Sequence, residues 1–140
     1  MKRDLMNNIH PIVAIAPVVV TDNTVQASAA IDVRQYKSVT FIILLGTLAD
    51  TDATFAVEVQ EGSTSTQSSH TAVADKNLLG TEALAGFQFD DDGETRKIGY
   101  VGDQDYASIE ITPSGNTGNA PIAVLALLEP LEGAADNPPS

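Results

Sequence analysis

The chain contains no cysteine and no tryptophan, only two histidines, and seven basic residues against nineteen acidic ones. Each scarcity removes a class of function. Without cysteine there is no disulfide, no thiolate metal ligand and no thiol nucleophile, so stability must come from packing or assembly. His10 and His70 lie far apart, with no partner at metal-ligand spacing, which argues against zinc. A formal charge of −12 repels a phosphate backbone instead of releasing its counterions, so nucleic acid is not an expected partner. No run approaches the roughly 18 apolar residues of a membrane-spanning helix. Met1-Lys2-Arg3 ahead of the apolar stretch Ile12 to Val20 imitates a secretory signal. Asp4, Asn7, Asn8 and His10 interrupt the approach, however, and Pro11 and Pro17 break any helix, so the expected product is soluble and intracellular when made.

What remains is a globular composition. With 43% hydrophobic and 19% charged residues, 140 residues are enough for one domain with a core and too few for two ordinary ones. Residues 1–17 carry two prolines and little periodicity, and two readings fit them equally: an extended arm, or a first edge strand. From Val18 onward, short apolar stretches alternate with clusters of Asp, Asn, Gly, Ser and Thr, the all-β pattern. Thr24 to Ile31 reads as a second strand. Ser38 to Leu45 is the most apolar segment, with Val39, Phe41, Ile43 and Leu45 on one face and Ile42 and Leu44 on the other. Both faces therefore need cover, one from the opposite sheet and the other from a loop, an arm or a subunit.

Phe55, Val57 and Val59 alternate with Ala56, Glu58 and Gln60, as on a half-exposed strand. The polar run Gly62 to Ser69 reads as a mobile loop, and Thr71 to Leu79 as a short strand and turn. Phe87 to Phe89, the acidic turn Asp90-Asp91-Asp92-Gly93 and Arg96 to Val101 resemble a hairpin. Tyr106 to Thr112 and Pro121 to Leu128 complete the set. Two packed antiparallel sheets, jelly-roll or Ig-like, are the natural way to bury these faces, in an all-β sandwich over residues 18–129. Residues 130–140 form the expected flexible tail.

Signals for chemistry are weak. Asp90, Asp91 and Asp92 could offer oxygens to calcium, but the alternation of an EF-hand loop is missing and a solvated turn is the better reading. His10 reads as a structural hydrogen-bonding group and His70 as a solvated one. No phosphate loop, nucleophile elbow or selected carboxylate pair is present, so neither an enzyme nor a cofactor is expected.

Two longer stretches carry a resemblance: Met1-Lys2-Arg3-Asp4-Leu5-Met6-Asn7-Asn8-Ile9, and Arg96-Lys97-Ile98-Gly99-Tyr100-Val101-Gly102 leading to Tyr106 and Ile109-Glu110-Ile111-Thr112. With Asp75, Leu78-Leu79-Gly80 and Asn116 to Ala120, the chain resembles small head-region proteins of tailed bacteriophages. Asp105 and Ser108 around Tyr106 depart from the basic residue many members carry there. The resemblance implies a virion structural role, a capsid cement or decoration protein. Such a protein would bind the major capsid protein on the capsid exterior after synthesis in the host cytoplasm. It would act without catalysis, as a homo-oligomer such as a trimer whose avidity multiplies weak contacts. On this reading the arm docks on the shell through Lys2, Arg3, Leu5, Ile9, Ile12, Val13 and Ile15. The alternatives are a neck, tail or fibre-base component, and an exterior carbohydrate-binding module stacking sugars on Tyr100 or Tyr106.

Overall fold

A computed structural model describes residues 1–139 of the chain; Ser140, the end of the expected tail, lies outside the described residues. Period-two alternation is realised as two antiparallel sheets. The first contains β1 (His10–Val20), β4 (Tyr36–Leu45), β7 (Leu78–Leu79), β9 (Thr95–Tyr100) and β11 (Ala120–Pro130), in the order β1-β11-β4-β9-β7. The second contains β2 (Gln26–Ala27), β3 (Ile31–Asp32), β5 (Thr54–Gly62), β6 (Thr71–Ala72), β8 (Phe87–Gln88) and β10 (Tyr106–Ser114). In it β10 pairs with β2, β3 and β5, and β5 pairs in turn with β6 and β8.

If β2 with β3, and β6 with β8, are each taken as one interrupted strand, the first, last, third and sixth strands face the second, seventh, fourth and fifth. That is the double Greek key of a jelly roll, not the Ig order. The fold is an all-β sandwich.

The core lies between the sheets. Val39, Phe41, Ile43 and Leu45 of β4 and Ile122, Val124, Ala126 and Leu128 of β11 point inward, opposite Phe55, Val57 and Val59 of β5 and Ala107, Ile109 and Ile111 of β10. β-branched side chains dominate because they suit a pleated surface and lose little freedom on it. Each fully buried Phe41, Ile43, Ile98, Ile109 or Leu128 contributes about 1.5–3 kcal/mol of apolar transfer free energy.

Several segments differ from the sequence expectation. The second strand is split into β2 and β3. Phe87 and Gln88 pair with Phe55 and Thr54 of β5 and not with Arg96 to Val101, so there is no hairpin across the acidic turn. The Phe55 and Phe87 rings stack at 4.8 Å, which draws β8 to the second sheet. The polar run after Gly62 is pinned: Gln67–Ser69 form a 3-10 turn, and His70 is buried against the sheet. Between these strands, Thr81 caps a four-residue helix, α1 (Glu82–Ala85), by accepting from Leu84 N–H.

The edge-strand alternative describes residues 10–17, since β1 begins at His10 and pairs with β11 from Leu128 to Ala120. A separate arm can comprise only the residues before it. Two register shifts lie between Val13 and Ile15 and between Ile15 and Val18; Pro17 falls in the second, while Pro11 pairs in register with Leu127 on this edge strand. The tail beyond Pro130 is tied by Leu131 N–H to Gln35 O (3.2 Å) and Ala135 N–H to Asn7 O (2.8 Å).

Candidate functional site

The outward side chains of the two sheets differ sharply. On the second sheet Glu58 of β5 stands opposite Glu110 of β10, and Gln60 opposite Ser108. The loop after Gly62 folds over this polar surface. Gln67 Nε2 donates to Gln60 Oε1 (3.0 Å) and Glu110 Oε1 (2.9 Å), and Gln60 Nε2 donates to Glu58 Oε1 (2.7 Å). Two opposed carboxylates are thus separated by amides. His70 is not solvated: its Nδ1 lies 2.9 Å from Ser108 Oγ and its Nε2 lies 2.9 Å from the Thr64 carbonyl. A carbonyl can only accept, so Nε2 carries a proton.

Ser108 beside His70 has the composition of a hydrolytic dyad, but Ser108 is 0% exposed and no acyl group could reach its hydroxyl. The pair anchors a loop. An open cleft of about 480 Å³ beside β5 and α1 is lined by Phe55, Phe87 and Glu82. Its Glu82 carboxylate accepts from Val59 N–H at 3.0 Å, and Asp91, which also lines it, pairs with Arg96 at 2.8 Å.

The first sheet presents an apolar outer face, built row by row from the strand registers. One row runs Val13, Leu125, Ile42, Lys97, and a second runs Pro11, Leu127, Thr40, Gly99, Leu79. A third holds Ala123, Leu44 and Thr95, with Val19 beside Pro121 at the same end. Val13 is 62% exposed, Val19 52%, Leu44 49% and Leu79 61%. Gly99 makes the β7 end of this surface possible, because a Cβ there would lie 3.0 Å from the Cβ of Leu79. In these rows Lys97 is the single charged side chain, on a chain of formal charge −12. Contiguous apolar surface of this kind is a candidate interaction site.

Ile42 and Leu44 of this face were legible from the two-sided hydrophobicity of β4. The contribution of β11 was missed, although Ala120 to Leu128 is apolar at both parities, which is the same signal.

The seven residues expected to dock do not act as one group. Lys2, Arg3 and Leu5 are exposed ahead of a 3-10 turn at Met6–Asn8, and Ile9 is half-buried. Asp4 closes that turn by accepting from Asn7 N–H at 3.1 Å and Asn7 Nδ2 at 2.8 Å, and these bonds hold its carboxyl below the usual range. Ile12 packs partly against the core, and Val13 belongs to the outer face. Ile15 is buried between the sheets and is unavailable for docking.

The remaining candidates are also placed. His10 is buried and stacks on Tyr36 at 5.6 Å. Asp91 pairs with Arg96 at 2.8 Å and accepts from Gln88 N–H, while Asp92 accepts from Leu48 N–H at 2.7 Å. Asp91 and Asp92 are therefore engaged by the protein, and the described residues contain no cluster of three potential metal ligands. Tyr100, only 3% exposed, cannot stack on a sugar. Its hydroxyl donates to Glu61 Oε2 at 2.7 Å and accepts from Gln104 N–H at 3.2 Å. Burial, then the bond to Glu61, pushes its phenol well above the ordinary tyrosine value. Tyr106 is half-buried beneath the Arg34 guanidinium, 5.5 Å from its ring centre.

No family model and no curated protein matches the chain. Among solved structures, a protein of the disulfide-linked pili of Bacillus endospore appendages is similar at 9% identity. The match covers 94% of this chain and 98% of that one, with a TM-score of 0.45. A low-affinity xylan-binding module from Roseburia intestinalis shares 14% identity over 86% of this chain and 96% of its own, at 0.32. A family-two carbohydrate esterase from Cellvibrio japonicus shares 12% identity over 90% of this chain and 34% of its own, at 0.36. Likenesses this distant carry no functional argument.

Proposed function

We propose that this chain is a non-catalytic structural protein that works by assembly with other protein subunits. The observation that carries this reading is the outer face of the first sheet: apolar side chains from β1, β11, β4 and β7, with Thr40, Thr95 and Lys97 among them and Glu129 at the rim, on a strongly acidic chain. Leaving such a surface in water wastes about 25 cal/mol for each Å² that a partner could bury. The more specific reading, from the sequence resemblance, is a cement protein on the exterior of a tailed-phage capsid, bound to the major capsid protein. Jelly rolls build viral capsid and lectin domains, which is compatible with that role, although a fold does not assign one.

The segment ahead of β1 supplies the docking element. It gathers two of the seven basic residues, Lys2 and Arg3, beside exposed Leu5 and Met6. The test is co-sedimentation of purified protein with shells that lack it. Deletion must stop at Ile9, because removing residues 1–16 takes away much of β1 and the buried Ile15. The expected result is shell binding by the full chain and its loss in a folded chain starting at His10. Absence of the full-length protein from the shell pellet refutes the cement role.

A further inference from the structure

We infer that the outer face of the first sheet is covered by a second copy of this chain, in a two-fold, face-to-face dimer; this rests on the assembly role proposed above. Three features select that occupant. The first is size. Four to five strands spaced about 4.8 Å apart, over seven or so residues rising about 3.3 Å each, give a flat area of roughly 450–550 Å². Two such faces bury about 900–1,100 Å² together, bracketing the roughly 1,000 Å² that a biological interface should clear.

The second is charge. Two chains of −12 can approach only through a surface free of acids, and the rows centred on Leu125 and Ile42 are such a surface. A basic partner, which the acidic exterior would attract, gains little from a face whose charges are Lys97 and, at the rim opposite Ser38, Glu129, which already lies 4.0 Å from Lys37. Apart from Glu129 at the rim, the acids lie elsewhere, in turns such as Asp50 to Asp52 and Asp90 to Asp92 and on the second sheet at Glu58 and Glu110.

The third is geometry. Contact through an identical patch on both partners is isologous and closes at two copies, so a dimer replaces the expected trimer. The C-terminal segment does not compete for the face, since Leu131 and Ala135 bond to Gln35 and Asn7.

Sedimentation equilibrium of the full chain from about 1 to 100 µM tests this. The expected species is a dimer of twice the 14.7 kDa chain mass. The Ile42→Glu/Leu125→Glu double variant places four carboxylates in the paired interface and should be monomeric, with association weakened at least about 100-fold. Leu44→Glu, at a position already half exposed, is the milder variant that should also shift the equilibrium toward monomer. Thr112→Lys, on the outer side of the second sheet, should leave the dimer intact. A wild-type monomer at every concentration overturns the inference, as does an oligomer unaffected by all three first-sheet changes. If the wild type is monomeric and Ile42→Glu/Leu125→Glu loses shell binding, the face belongs to the shell: the second copy is refuted and the assembly role survives. If the dimer forms and dissociates as described but no shell is bound, the dimer stands and the cement role falls.

Discussion

Replacing His70 with alanine tests whether one imidazole holds the polar loop on the second sheet. The side chain makes two hydrogen bonds, to Ser108 Oγ and to the Thr64 carbonyl, each at 2.9 Å. Thr64 is exposed, so its carbonyl regains water when the ring is removed and that loss is small. Ser108 is fully buried, and an orphaned hydroxyl costs about 1–3 kcal/mol. Loss of the ring's own burial adds roughly 1 kcal/mol. A total of about 3 kcal/mol, divided by an m-value near 2 kcal/mol per M, lowers the urea midpoint by about 1.5 M. Without tryptophan, far-ultraviolet circular dichroism is the appropriate probe. Repeating the substitution in a Ser108→Ala background removes the orphan, and the cost should shrink by about 1–2 kcal/mol. A midpoint shift below about 0.3 M, or an equal loss in both backgrounds, refutes the anchoring role.

Gly62→Ala attacks the same anchor from below: the new Cβ would lie 2.5 Å from His70 Cδ2, so the ring must move, costing about 1–3 kcal/mol and increasing protease cleavage between Ser63 and Ser69. Tyr100 gives an alkaline limb. Its phenol is raised in the folded chain, so its contribution is full below the unfolded value near 10 and is lost as pH rises through the folded value; Tyr100→Phe should flatten melting temperature against pH above about 10. Asp50 works in the opposite direction. Thr117 N–H, Asp52 N–H and the Thr117 hydroxyl hold its carboxyl below the ordinary range, so its contribution is present above the unfolded value and is lost as pH falls through the folded one. Asp50→Asn should therefore flatten the acid limb of an unfolding series below about pH 4.

The sandwich was legible because alternation at Val39 to Leu45, Phe55 to Val59 and Ala107 to Ile111 is a local property that survives folding unchanged. Pairing was not, since the partner of Phe87 depends on a ring stack with Phe55 that no window of sequence contains. His70 illustrates the same limit. In a run of Ser, Thr and Gln it looks solvated, and only the closure of β5 onto β10 brings Ser108 beneath it. The interaction face was half visible: Ile42 and Leu44 demanded a cover, whereas its full extent required the register that lines them up with Leu125 and Ala123. Ile15 shows why the arm was overdrawn, because Pro11 and Pro17 suggest an unpaired segment, yet Pro11 sits on the edge strand opposite Leu127 and a register shift of β1 takes in Pro17.

Those irregularities in the outermost strand also govern what the protein avoids. A straight, fully hydrogen-bonding border would recruit further strands end over end, and polymerisation into fibrils would compete with any specific partner. Missing N–H donors at two prolines and a ladder that twice falls out of step deny such growth a template. Sideways addition at the β1 edge is hindered, which lowers the risk that the greasy broad side turns the chain into a seed for amyloid.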